Sequence, residues 1–282
     1  MYPTLYTIGP LAFYSYTVML AIAVLVGVFF TIWKNEAQEN PYPITTIGGL
    51  WVFLGGLLGA RVWWILQYDS PWVLYKALVV WQGGLVYYGG LVGGVVGGLL
   101  YLKYCRVPIL QVGDLILPQV PLAHAVARFG CFLNGCCWGT ITDRVWGVSF
   151  PKGSSLFDHQ VHSGIIQSDA LQTAAVHPTQ LYEMAGLILV FFAMRYLSNK
   201  PHPPGGILFL YPLLYGVMRF VVEIFRGDTE RPYYGLTLSQ GVSIGMVVGA
   251  VLVLGILWYQ YVKEYYCVET LEDRTETSSP DQ

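Results

Sequence analysis

Apolar runs recur along almost the whole chain, separated by short polar clusters. A helix needs roughly 20 apolar residues to cross a hydrocarbon core of about 30 Å. Seven runs approach that length, at about 11–33, 46–67, 84–103, 109–127, 178–197, 205–225 and 235–262. Lipid offers backbone N–H and C=O groups no partner, so each run must close its hydrogen bonds internally as helix. The first run is too long for a signal-peptide core and lacks a small-residue cleavage site after it, so it is read as a retained span. The pattern predicts an all-α integral membrane protein with about seven transmembrane helices. One long polar stretch, 128–177, predicts an extracytoplasmic loop region within a membrane domain of 1–263. The acidic, Ser/Thr-rich end, 264–282, reads as a disordered cytoplasmic tail.

Polar positions inside the apolar runs narrow the chemistry. A charge in hydrocarbon is costly, so an ionisable residue in a span usually faces a cavity or a partner. Arg61, Asp114, Arg128, Arg219 and Glu223 are such residues. Arg219 and Glu223 are four apart, which lets them pair along one helix face. The fourth run carries Gln111, Asp114, Pro118, Gln119, Pro121, His124 and Arg128, too polar a load for a lipid-facing helix. It lines a polar cavity or is buried among other helices. His124 alone reads as a satisfied buried histidine. Gly89-Gly90, Gly93-Gly94 and Gly97-Gly98 recur every four residues, on one face where helices approach closely. The other reading is that the first pair lets a lipid headgroup reach the backbone.

Composition supports a membrane solvent. Charged residues are 11% of the chain, against about a quarter in soluble domains, and the mean hydropathy is +0.51. A net charge of -2 does not suggest a nucleic-acid partner. Lys34, Lys103, Arg106, Arg195, Lys200 and Lys263 gather in alternate loops, which predicts the N-terminus outside and the C-terminus in the cytoplasm. No internal repeat stands out, and many transporters carry one. The five cysteines show neither paired zinc-type spacing nor a disulfide framework. Cys131, Cys136 and Cys137 are left to packing or a disulfide, and neither a metal nor a cofactor is expected.

The segment Arg128-Phe129-Gly130-Cys131-Phe132-Leu133-Asn134-Gly135-Cys136-Cys137-Trp138-Gly139 resembles the signature of the prolipoprotein diacylglyceryl transferase family. Other pieces fall in the family's order: Ile8-Gly9-Pro10 with Tyr16, Gly59-Ala60-Arg61, Tyr88-Gly89-Gly90-Leu91, Gln111-Val112-Gly113-Asp114, and His177-Pro178-Thr179-Gln180-Leu181-Tyr182-Glu183. Tyr215-Gly216-Val217-Met218-Arg219, Glu223, Arg226 and Gln240 follow, so the resemblance covers about 5–260. It implies transfer of a diacylglyceryl group from phosphatidylglycerol to the lipobox cysteine of a prolipoprotein, in the bacterial inner membrane. The catalytic positions it implies are Arg128, Arg219, Tyr88 and Glu223. Substrate contacts fall to Tyr16, Arg61, Gly89, Gly90, Asn134, Gly139, His177, Tyr215, Arg226 and Gln240. Three positions depart from the pattern: Tyr88 stands where the family usually has His, Cys131 where it has Asn, and Cys136 where it has an acidic residue. These departures motivate a competing reading, a divergent paralogue acting on another lipid or acceptor. The same arginines would also suit an anionic-solute transporter.

Overall fold

The computed structural model describes residues 4–8, 11–39, 42–68, 86–231 and 235–276. A hairpin of β1 (Thr4–Ile8) and β2 (Leu11–Tyr14) comes first, followed by α1 (Ser15–Glu36), α2 (Thr46–Tyr68) and α3 (Tyr87–Tyr104). Then come α4 (Ile109–Ile116), a 3-10 turn (Leu117–Gln119), α5 (Val120–Asn134) and α6 (Ser155–His162). The last three helices are α7 (Thr179–Leu197), α8 (Gly206–Ile224) and α9 (Leu238–Glu276). Among the described residues, six helical segments are long and apolar enough to cross a membrane: Ser15–Glu36, Thr46–Gln67, Ile109–Asn134, Thr179–Leu197, Gly206–Ile224 and Leu238–Glu264. The remaining expected span corresponds to α3. Leu25, Phe29, Leu189, Phe192 and Leu252 are among many exposed large apolar side chains on these helices. Water would penalise so much contiguous apolar surface, whereas lipid does not. The chain is a multi-pass membrane protein.

Three expectations change. The fourth span is not one uninterrupted helix. Pro118 and Pro121 each remove an amide donor, and the chain tightens into the 3-10 turn between α4 and α5. The polar loop begins later than 128, because α5 continues to Asn134 and ends at Gly135 in the left-handed conformation (φ 73°). That region is itself ordered: Phe150, Leu156 and Val176 form a small core flanked by Phe132, Trp138 and Val148. The expected tail also contains helix, since α9 runs on to Glu276. Neither Gly nor Pro interrupts the sequence between Gly255 and Pro280, so no breaker stops the helix at the membrane edge.

Two compact units make up the chain, 24–115 and a second built from 1–23 with 116–282. In the first, α2 and α3 meet glycine against glycine. A β-carbon on Gly59 or Gly93 would overlap the facing backbone at Gly89 or Gly55. Gly89 faces Gly59 and Trp63, and Gly90 faces Ala60 and Gly56. Both expected headgroup glycines therefore give their side-chain faces to α2. In the second unit, Gly130 of α5 packs on Met19 and Tyr16 of α1. Val190, Met194 and Ile207 join α7 to α8. Gly216 of α8 packs against Ser243 and Val247 of α9.

Candidate functional site

In the second unit, the site is organised on α5, α7 and α8. On α8, Tyr211, Tyr215, Arg219 and Glu223 recur every four residues, and this spacing stacks them along one stripe. On α5, His124 and Arg128 have the same relation. Glu183 sits in the N-terminal part of α7 and is 1% exposed. Its two oxygens divide two guanidiniums between them. Arg128 Nη2 lies 3.0 Å from Oε1, and Arg219 Nη1 lies 3.3 Å from Oε2. Arg219 Nη2 lies 2.6 Å from Glu223 Oε2 and donates to Ser239 Oγ at 3.4 Å. The Tyr215 hydroxyl donates to Glu183 Oε1 at 3.3 Å. His124 Nε2 stands 3.9 Å from the same oxygen, and its Nδ1 meets the Tyr211 hydroxyl at 3.3 Å.

Two cations and two anions thus balance. The carboxylates are sealed, at 1% and 0% exposure, while the Arg128 and Arg219 side chains keep 16% and 11%. Glu183 and Glu223 therefore grip the arginines from the buried side. A buried ion network of this kind is weak evidence for stability, because desolvation offsets most of the attraction. It is better evidence for a functional site that holds charged groups in a fixed geometry. The forked guanidinium suits a phosphate or carboxylate ligand.

The other expected site residues are distributed unevenly. Tyr16 lies in the first turn of α1 and packs beside α5, and Asn134 ends α5. Gly139 N–H donates to His177 O at 3.0 Å. A β-carbon there would collide with His177 and with Phe225 O, so only glycine permits this close approach. His177 Nδ1 meets the Tyr182 hydroxyl at 3.0 Å. Arg226 is engaged bidentately by Asp228, at 2.6 and 2.8 Å. Gln240 acts structurally, because its Oε1 accepts from Thr237 N while Thr237 Oγ1 accepts from Gln240 N, a reciprocal cap on α9. Arg61 belongs to the other unit, where it is 2% exposed and its guanidinium lies over Trp64 at 4.8 Å. Tyr88 falls in the first turn of α3, and its side chain lies outside the described residues.

Glu183 is the residue that sequence reasoning passes over. It lies inside the expected span 178–197, so the rule that singles out Arg219 applies equally to it. Cys131, Cys136 and Cys137, which the sequence leaves to packing or a disulfide, are brought together with their sulfurs all within 4.8 Å of one another. Arg128 Nη1 stands 4.0 Å from Cys137 Sγ. Hydrogen bonds from Cys131 and Cys136, reinforced by the charges of Arg226 and Arg128, hold the Cys137 thiol well below the usual range.

Comparison with known proteins gives the arrangement its context. A family model described as prolipoprotein diacylglyceryl transferase matches residues 3–256. A phosphatidylglycerol–prolipoprotein diacylglyceryl transferase of Photorhabdus laumondii is 34% identical, over 90% of this chain and 90% of that protein. The protein of that name from Pseudoalteromonas atlantica is 33% identical, over 90% and 86%, and the one from Vibrio atlanticus is 32% identical, over 94% and 92%. With a match of this extent, enclosing both arginines and the carboxylate between them, the chain belongs to the prolipoprotein diacylglyceryl transferase family.

Proposed function

We propose that this chain transfers the diacylglyceryl group of phosphatidylglycerol to the lipobox cysteine thiol of prolipoproteins. The observation that carries the reading is the placement of Arg128 and Arg219 on the two oxygens of one sealed carboxylate. In the reaction, the thiol sulfur attacks the glyceryl carbon that bears phosphate. The carbon–sulfur bond forms as the carbon–oxygen bond breaks, and glycerol phosphate leaves. The thiol proton is accounted for on the released phosphate, so charge balances. Arg128 and Arg219 receive the phosphate and stabilise the charge that develops on the leaving oxygen. Glu183 and Glu223 hold the guanidinium planes, and Tyr215 steadies Glu183. Asn134 and Tyr16 donate to the headgroup. A guanidinium N–H edge beside the incoming cysteine also favours its thiolate form, which is the nucleophile.

The reading places the protein in the bacterial inner membrane with its N-terminus outside, supported by the Lys/Arg bias of its loops. The test is mass spectrometry of a lipobox peptide incubated with the purified protein and phosphatidylglycerol. The peptide is expected to gain one diacylglyceryl group on its cysteine, and to gain none with Arg128→Ala or Arg219→Ala. An unmodified peptide with the wild-type protein, or full modification by both variants, overturns the proposal.

A further inference from the structure

The transferase scheme gives the three clustered cysteines no role, since the substrate brings the reacting thiol. Their meeting is built into the backbone. Asn134 ends α5, and Gly135 takes the left-handed conformation that reverses the chain. Cys136 N–H then bonds back to Cys131 O at 3.2 Å, which folds the Cys136-Cys137 pair onto the last turn of the helix. Two side chains at the start of α7 pin the pair from the other side. Gln180 Nε2 donates to Cys136 O at 2.7 Å, and Thr179 Oγ1 donates to Cys137 O at 2.7 Å. Cys137 itself is held at φ 65°, a conformation that costs a non-glycine residue on the order of 1–3 kcal/mol. Both pinning residues are 1% exposed. Backbone strain and buried hydrogen bonds thus combine to bring three sulfurs to one point.

We propose that Cys131, Cys136 and Cys137 form a binding site for a soft closed-shell metal ion, Cu(I), held by three thiolates. The donor set selects the ion. All three donors are sulfur, and no His, Asp or Glu joins the group among the described residues. Thiolate-only ligation favours Cu(I), zinc or iron–sulfur clusters. Structural zinc sites almost always complete four protein ligands, and this group supplies three. The Arg128 guanidinium, 4.0 Å from Cys137 Sγ, places an N–H edge beside the sulfurs. No redox step is involved; the thiol protons pass to solvent as the metal binds.

The test uses the full-length protein in detergent, with Cys105→Ser and Cys267→Ser in the background to remove the other thiols. Cu(I) is titrated anaerobically against a chromogenic chelator, and the bound ion is examined by X-ray absorption. One Cu(I) per chain with a shell of three sulfurs is expected. Cys136→Ser should weaken binding by more than the roughly 10–100-fold that loss of an outer-shell partner costs. Cys136 is only half-buried, so this variant spares the core, and thermal unfolding checks its fold. Binding that Cys136→Ser leaves unchanged, a nitrogen or oxygen shell, or no uptake by the parent protein overturns the proposal. Preferential retention of zinc over Cu(I) in direct competition overturns the choice of ion. Because the readout involves neither lipid nor lipoprotein, its outcome is independent of the transferase assay.

Discussion

At the scale of single residues, Glu183 decides more than either arginine does. Each guanidinium has its own position on a helix, but one carboxylate fixes the relation between them. Removing one partner of a buried ion pair costs about 3–5 kcal/mol, chiefly because an uncompensated charge is left behind. Glu183→Ala should therefore lower the unfolding temperature in detergent strongly and abolish lipid transfer. Glu183→Gln retains shape and hydrogen bonding but leaves two cations facing one carboxylate. It should fold and yet lose about 100-fold or more in kcat, as expected when groups that stabilise developing charge are misplaced. Wild-type turnover in Glu183→Gln would remove the carboxylate from the mechanism. Arg219→Lys makes a complementary case. Arg219 touches Glu183, Glu223 and Ser239 at once, and a lysine ammonium is a point charge that cannot reproduce the fork. Its transfer rate should fall towards that of Arg219→Ala rather than stay near wild type, as single-turnover assays would register.

Elements carry a different load. The α2–α3 contact is made by glycine backbones, so its tolerance is set by the facing main chain, which cannot rotate away. Gly93→Leu should force the helices apart and cost about 1–3 kcal/mol or more. On α9, a β-carbon at Gly249 meets nothing within 4 Å. Gly249→Ala should therefore be neutral or stabilise by about 0.5–1 kcal/mol through helix propensity. Thermal unfolding of the two variants side by side separates close packing from propensity, and equal losses would contradict the seam. Spans of this type are legible in the sequence because the bilayer imposes a length, and the Arg219–Glu223 pair is legible because helical spacing is local. The partnership of Glu183 with Arg128 is not, because it joins residues 55 positions apart through the packing of α5 on α7. The α5 terminus is misplaced for a related reason: Arg128 and Asn134 look like loop residues by polarity, yet the breaker that ends the helix is Gly135. Gln240 matches the family pattern, but its side chain is occupied in capping α9.

For the whole molecule, the membrane supplies a frame that side-chain contacts alone do not. α7 is a single apolar helix of 19 residues, and at about 1.5 Å per residue it is close to the thickness of the hydrocarbon core. Its N-terminus joins the ordered region that follows Asn134, and Glu183 near that end holds Arg128 and Arg219, while its C-terminus carries Arg195 and leads to Lys200. Those basic residues favour the cytoplasmic side for that end. Under the proposed function, a translocated prolipoprotein would reach this site if the opposite end faces outward. Ser168, exposed in the ordered region, and Asn199, exposed just past α7, therefore report opposite faces. With a membrane-impermeant maleimide on spheroplasts, Ser168→Cys should gain label over the parent protein before lysis, and Asn199→Cys only after it. The reverse pattern would place the site on the cytoplasmic face, where the thiol of an exported precursor could not meet Arg128 and Arg219 after translocation.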